Sequence, residues 1–201
     1  MSEKGIVGRG VLVDYYSWLV KKGETIEHFD TTPIPVSGLK ACLADQGTEV
    51  HFGDILLIRT GIQFSQFDAL NGFQLILAGW IQALPKKTPE ELEAYRSVVP
   101  HRFCGVEQSE ETLRWLWENF SAVAGDQPSF EAWPTQKDWS LHEVLLGGWG
   151  CPIGELFDLE KLSEKCKAEG RYSFFVTSEP CNVPGGVARY GSSHHLPCIS
   201  C

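Results

Sequence analysis

The run Ile55-Leu56-Leu57-Ile58 places the narrowest limit on how this chain can fold. It is opened by Gly53-Asp54, stopped by Thr60-Gly61, and carries no polar residue at alternate positions. A strand with one wet face alternates apolar and polar side chains. An unbroken apolar run of this length instead reads as a strand of the kind buried on both faces. Val11-Leu12-Val13 after Gly10, Ala122-Val123-Ala124, Ile153 and Tyr172 to Thr177 read as further strands, with Gly10 allowing a close approach of neighbouring chain. The expected class is α/β, a mixed sheet with flanking helices. The order of the strands is not encoded in such runs.

Length and charge exclude several functions. At 201 residues the chain is long enough for one domain burying about 70% of its unfolded surface. No run of Pro, Gly or Ser divides it, so residues 1–188 are expected to form one domain and 189–201 a disordered tail. The formal net charge is −9 and the Lys and Arg residues are scattered, so nothing supplies the basic face that nucleic acid requires. Apolar runs are short and interrupted by charge, and the first residues, Met-Ser-Glu-Lys-Gly-Ile, lack the apolar core of a signal peptide. A cytoplasmic protein without membrane contact is expected. Seven cysteines, an odd number, argue for reduced thiols. Cys42 and Cys166 fall in helical patterns and are expected in the core.

The helices carry their own punctuation. Tyr15 to Gly23 continues from the first strand as a helical turn. Ser37 is the expected N-cap of a helix burying Leu39, Cys42 and Leu43 and ending at Gly47. Thr88-Pro89-Glu90-Glu91 reads as a capping box. Ser109 caps a helix with two acids in its first turn and Leu113, Leu116 and Trp117 on its buried face. Asp158 caps another through Leu159, Leu162 and Cys166, which Gly170 closes. A short strand is expected around Arg102 to Val106. Gln63 to Trp80 shows no period and receives no assignment.

The chemistry is concentrated between Trp139 and Phe157. Asp138 is the expected cap of a short helix built on Leu141, Val144 and Leu145 and stopped by Gly147-Gly148, with His142 inside it. After the Gly-Trp-Gly-Cys-Pro turn comes a strand at Ile153, followed by Glu155. A helix, a turn and a strand can fold back and bring His142 and Glu155 together, and imidazole plus carboxylate suits zinc or manganese. The same pair at this separation also serves purely structural roles. Ala122 to Asp126 delivers Gly-Asp-Gln-Pro to the carboxyl end of a strand, where α/β folds place their chemistry. Asp126 is thus a pocket candidate or a turn former beside Pro128.

Three blocks carry a family resemblance. These are Leu141-His-Glu-Val-Leu-Leu-Gly-Gly-Trp-Gly-Cys-Pro-Ile-Gly-Glu-Leu-Phe-Asp-Leu-Glu160, Gly53-Asp-Ile-Leu-Leu-Ile-Arg-Thr-Gly61, and Phe174-Phe-Val-Thr-Ser-Glu-Pro-Cys-Asn-Val-Pro-Gly-Gly186. Together the segment from Gly5 to Val187 resembles the metal-dependent cyclase family that includes kynurenine formamidase and isatin hydrolase. The resemblance implies a swivelling β/β/α arrangement. It also implies that His142 and Glu155 match the later pair of metal ligands, and that Asp126 and the loop with Asn182, Pro184 and Gly185 lie near the pocket. The family signature His-x-Gly-Thr-His-x-Asp-x-Pro-x-His is missing. His28-Phe-Asp30 imitates part of it, but lacks the preceding Gly-Thr, spaces Asp30 one residue too far from Pro33, and has no following histidine, so both are read as loop residues. The tail offers His194, His195, Cys198 and Cys201 without a second Cys pair, and is read as disordered rather than metal-binding.

By resemblance the reaction is hydrolysis of an amide-type C–N bond in a small molecule, with zinc or manganese as cofactor in a site that this chain supplies incompletely. The family's first ligands and its proton-shuttling histidine belong to the missing signature, so the chain is expected to be N-terminally incomplete and its catalytic base is unknown. Exposed strand edges are expected to favour oligomerisation. Two alternatives remain open: a non-catalytic, truncated family member acting as a binding or dimerisation module, and a plain binding domain that uses its tryptophans as an apolar pocket.

Overall fold

A computed structural model of the chain describes residues 5–61, 90 and 97–178. Strand β1 (Ile6–Val13) runs into helix α1 (Tyr15–Lys21), then β2 (Pro33–Ile34), α2 (Val36–Asp45) and β3 (Asp54–Ile58). After these come β4 (Gly105–Val106), α3 (Glu110–Asn119), β5 (Phe120–Gly125), a π-helix (Glu143–Trp149), β6 (Ile153–Gly154), α4 (Glu160–Glu169) and β7 (Ser173–Ser178). The main sheet has the order β6-β5-β3-β1-β7. Its first four members are mutually parallel and β7 is antiparallel to β1. The class is α/β with a mixed sheet and flanking helices. All five strands expected from the apolar runs, at Val11, Ile55, Ala122, Ile153 and Phe174, are present.

Burial follows the strand period on both faces. Val11, Val13, Leu56, Ile58 and Val123 pack on one side against Leu19 of α1, Leu39, Cys42 and Leu43 of α2, and Trp115 and Leu116 of α3. Leu12, Ile55, Leu57, Ala122 and Ala124 face the other side, against Leu162 and Cys166 of α4. Every residue of β3 is buried, and its four apolar side chains, Ile55 to Ile58, each contribute about 1.5–3 kcal/mol of transfer free energy. A Cβ on Gly10 would run into Val176 and Phe174, which explains why the strand beside β7 carries glycine there.

Local signals fared unevenly. Ser109 caps α3 by accepting from the Thr112 amide at 3.1 Å, and Gly170 closes α4 at φ +62°. Ser37, however, lies inside the first turn of α2, whose cap is Pro35 without a side-chain bond. Trp115 takes the buried place on α3, whereas Trp117 is exposed and packs on Trp149 with ring centres 4.9 Å apart. Thr112, Trp115 and Leu116 form an inner face rotated by one position from Leu113, Leu116 and Trp117, and both sets satisfy helical spacing. The segment expected to be capped by Asp138 is instead closed by Ser140 and Glu143. The Glu143 carboxylate accepts from the Ser140 amide at 2.8 Å, and the Ser140 hydroxyl accepts from the Glu143 amide at 3.1 Å. It also runs through Gly147-Gly148 as a π-helix and ends at Gly150, whose φ of +66° is the left-handed cap that glycine adopts freely. Of the helix expected from Thr88 only Glu90 is described, and it is helical; the loop with Asn182, Pro184 and Gly185 and the His/Cys tail lie outside the described residues.

Candidate functional site: a histidine between two glutamates

The parallel strands deliver polar residues to their carboxyl ends: Asp14 after β1, Arg59-Thr60 after β3, Asp126-Gln127 after β5 and Glu155 after β6. In open α/β sheets this edge is where ligands bind. His142 comes to the same region from the residues that lead into the π-helix.

The structure brings His142 and Glu155 together. Nε2 of His142 lies 3.1 Å from Oε1 of Glu155. Nδ1 lies 2.6 Å from Oε2 of Glu131, whose Oε1 also accepts from the His142 amide at 3.3 Å. Glu155 Oε1 is further held by the Phe130 amide at 2.7 Å. The Glu131 side chain is 1% exposed against 34% for His142 and 28% for Glu155, so the histidine stands between one buried and one partly open carboxylate. The two acids raise the His142 pKa to about 10, Glu131 contributing more than Glu155 and burial opposing both. Without a metal the two neighbouring carboxyl groups thus favour the protonated imidazole.

The segments carrying the acids are tightly determined. Glu131 pairs with Val106 of β4, and the Val106 and Ala132 amides bond to the Phe130 and Val106 carbonyls. A Cβ on Gly105 would strike the Glu131 carbonyl, so glycine is required where these backbones meet. Glu155 is followed by Leu156 at φ +62°, the one non-glycine among the described residues in the left-handed region. That conformation costs about 1 kcal/mol for an ordinary side chain. It persists because the Leu156 and Phe157 amides bond to the Gln127 and Gly125 carbonyls, tying the turn to the end of β5.

Asp126 has a visible structural task. It is fully buried, and its oxygens accept from the Thr60 amide (2.8 Å), the Thr60 hydroxyl (2.7 Å) and the Gly61 amide (2.8 Å). Burial pushes its pKa up to about 6 against the pull of those donors. His28 and Asp30 lie in a loop, His28 Nε2 at 2.8 Å from the Thr60 carbonyl and Asp30 paired with Arg102. The described cysteines are free. Burial raises the thiol pKa of Cys42 to about 12 and also raises those of Cys104 and Cys151, which disfavours the reactive thiolate.

Sequence reasoning passed over Glu131. Its signal was weak but present: a carboxylate set between Phe130 and Ala132, three residues that the structure buries together. A charge inside an apolar run needs a partner, and His142 is that partner.

The donor set fits half of a metal site. Nε2 of His142 and Oε1 of Glu155 share one point of approach, and a carboxylate on the other ring nitrogen is the usual outer support of a metal-bound histidine. Among the described residues no group of three or more His, Cys, Asp or Glu is placed to hold a metal, whereas zinc normally takes at least three protein ligands.

No curated protein matches the chain. A crystal structure described as that of a novel cyclase is similar to it at 28% identity with a TM-score of 0.65, covering 90% of this chain and 50% of that one. The chain thus spans about half the length of that solved relative. The family model described as "Putative cyclase" matches residues 1–132, a range that includes Glu131 and stops short of His142 and Glu155. With that match over most of its length and the shared fold, the chain belongs to the cyclase family.

Proposed function

We propose that the chain contributes two donors, His142 Nε2 and Glu155 Oε1, to a zinc or manganese site that hydrolyses amide-type C–N bonds in a small molecule such as a formamide or cyclic amide. The single observation that supports this reading is the 3.1 Å convergence of the two side chains, with the far ring nitrogen already committed to Glu131. A metal held there would polarise a carbonyl and bring the pKa of water toward 7. This chain's residues hold and orient: the Phe130 amide fixes Glu155, and Glu131 fixes His142. Further donors and a proton carrier are part of the proposal and come from outside the described residues. Association with a second copy also belongs to the proposal; among the described residues β6 and β7 are the end strands of the sheet, where another strand could pair.

The test is zinc and manganese binding by the full chain, with hydrolysis of N-formylkynurenine and simple formamides measured alongside. His142→Ala and Glu155→Ala should each abolish stoichiometric metal. Binding and turnover indifferent to both substitutions would sink the reading.

A second reading, a non-catalytic module, is favoured by one feature: His142, Glu131 and Glu155 satisfy one another without any ion. A chain that binds neither metal yet keeps this cluster would support it.

A further inference from the structure

We infer that Glu131 is a positioning residue: it turns the His142 ring so that Nε2 faces Glu155, and the zinc affinity of the pair depends on it. The inference deepens the metal reading above and rests on it.

Both oxygens of this buried carboxylate are spent on one residue. Oε1 accepts from the His142 amide and Oε2 from Nδ1, so the ring is held at two points, one on the backbone and one on the side chain. The amide bond fixes the carboxylate against the His142 backbone, and the bond to Nδ1 then fixes the ring against that carboxylate. With Nδ1 taken, Nε2 is the nitrogen left to face outward, and Glu155 Oε1 stands 3.1 Å from it.

The clamp cannot drift, because Glu131 is itself pinned. Its backbone pairs with Val106, and Gly105 provides the room for that approach. The preceding residue acts on the other donor, since the Phe130 amide bonds to Glu155 Oε1. Two consecutive residues therefore set the separation of His142 and Glu155. A carboxylate needed only for packing would have no reason to meet both the amide and the ring of the same histidine.

The test uses the full chain, wild type and Glu131→Gln, with zinc affinity measured by competition against a chromogenic chelator. Proton NMR of chain labelled with 15N-histidine provides a second readout. The wild type should show a far-downfield Nδ1–H resonance from the short bond to Glu131, retained in Glu155→Ala. In Glu131→Gln that resonance should vanish and zinc should weaken about 10–100-fold, with an unchanged far-UV circular dichroism spectrum. Glu131→Asp, which keeps the charge but shortens the reach, should show the same losses and serves if the Gln variant does not fold. Zinc affinity within about twofold of wild type in these variants, while His142→Ala abolishes binding, would overturn the inference and leave the metal reading standing. Wild-type chain that binds no zinc, or binds it with an affinity indifferent to His142→Ala, would remove both.

Discussion

Nε2 of His142 and Oε1 of Glu155 stand 3.1 Å apart although thirteen positions separate them in the chain. Two structural devices close the gap. The π-helix ends in the left-handed turn at Gly150, and β6 then pairs in parallel with β5, which carries Glu155 to the same sheet edge as Asp126 and Gln127.

The His142 clamp makes stability depend on pH in the alkaline range. Its folded pKa, about 10, lies above the unfolded value near 6.5. The folded state therefore binds the extra proton, and the stabilisation is complete below about pH 6.5 and is lost as pH rises toward 10. In chelator-treated protein, the difference in urea midpoint between wild type and His142→Gln should shrink steadily across that window. A difference that stays constant or grows would contradict the clamp.

Arg59 anchors a separate buried network. Its guanidinium bonds in parallel to Glu160 at 2.9 and 2.7 Å and reaches Asp14 at 2.8 Å. Burial would raise the Asp14 pKa, yet the Ser163 hydroxyl and Arg59 outweigh it and hold the carboxyl below its usual range. Arg59→Ala leaves Asp14 buried and underpaired, so a loss of about 3–5 kcal/mol in urea unfolding is expected. Arg59→Lys should recover only part of it, since an ammonium cannot form the paired bonds to Glu160.

Gly105→Ala should act on two observables together. The added methyl meets the Glu131 carbonyl and the Ala132 nitrogen, costing about 1–3 kcal/mol of stability. Because Glu131 must then move away from His142, zinc binding should weaken in the same variant. Gly147→Ala, where an added Cβ meets nothing within 4 Å, is the control and should leave zinc binding unchanged.

Leu156 tests the strained turn beside Glu155. Leu156→Gly removes the left-handed penalty and some half-buried apolar surface, and these effects should leave stability within about 1 kcal/mol of wild type. Leu156→Val, β-branched at a positive φ, should lose about 1–2 kcal/mol. Thermal unfolding followed by circular dichroism separates the two.

The amino-acid sequence by itself pointed to the strands, because a short apolar run such as Ile55 to Ile58, bounded by Gly53 and Gly61, suits the middle of a covered sheet. It also determined the Ser109 cap and the Gly170 stop, which are settled by atoms within a turn of the residue concerned. It pointed to His142 and Glu155 through the wording of their segment. Tertiary structure alone decided the strand order, which of Trp115 and Trp117 faces inward, and that the helix continues past Gly147-Gly148. It alone decided the role of Glu131 too, since a carboxylate in a buried segment acquires its meaning from whichever donor the fold places against it, and that donor is eleven residues away on another element.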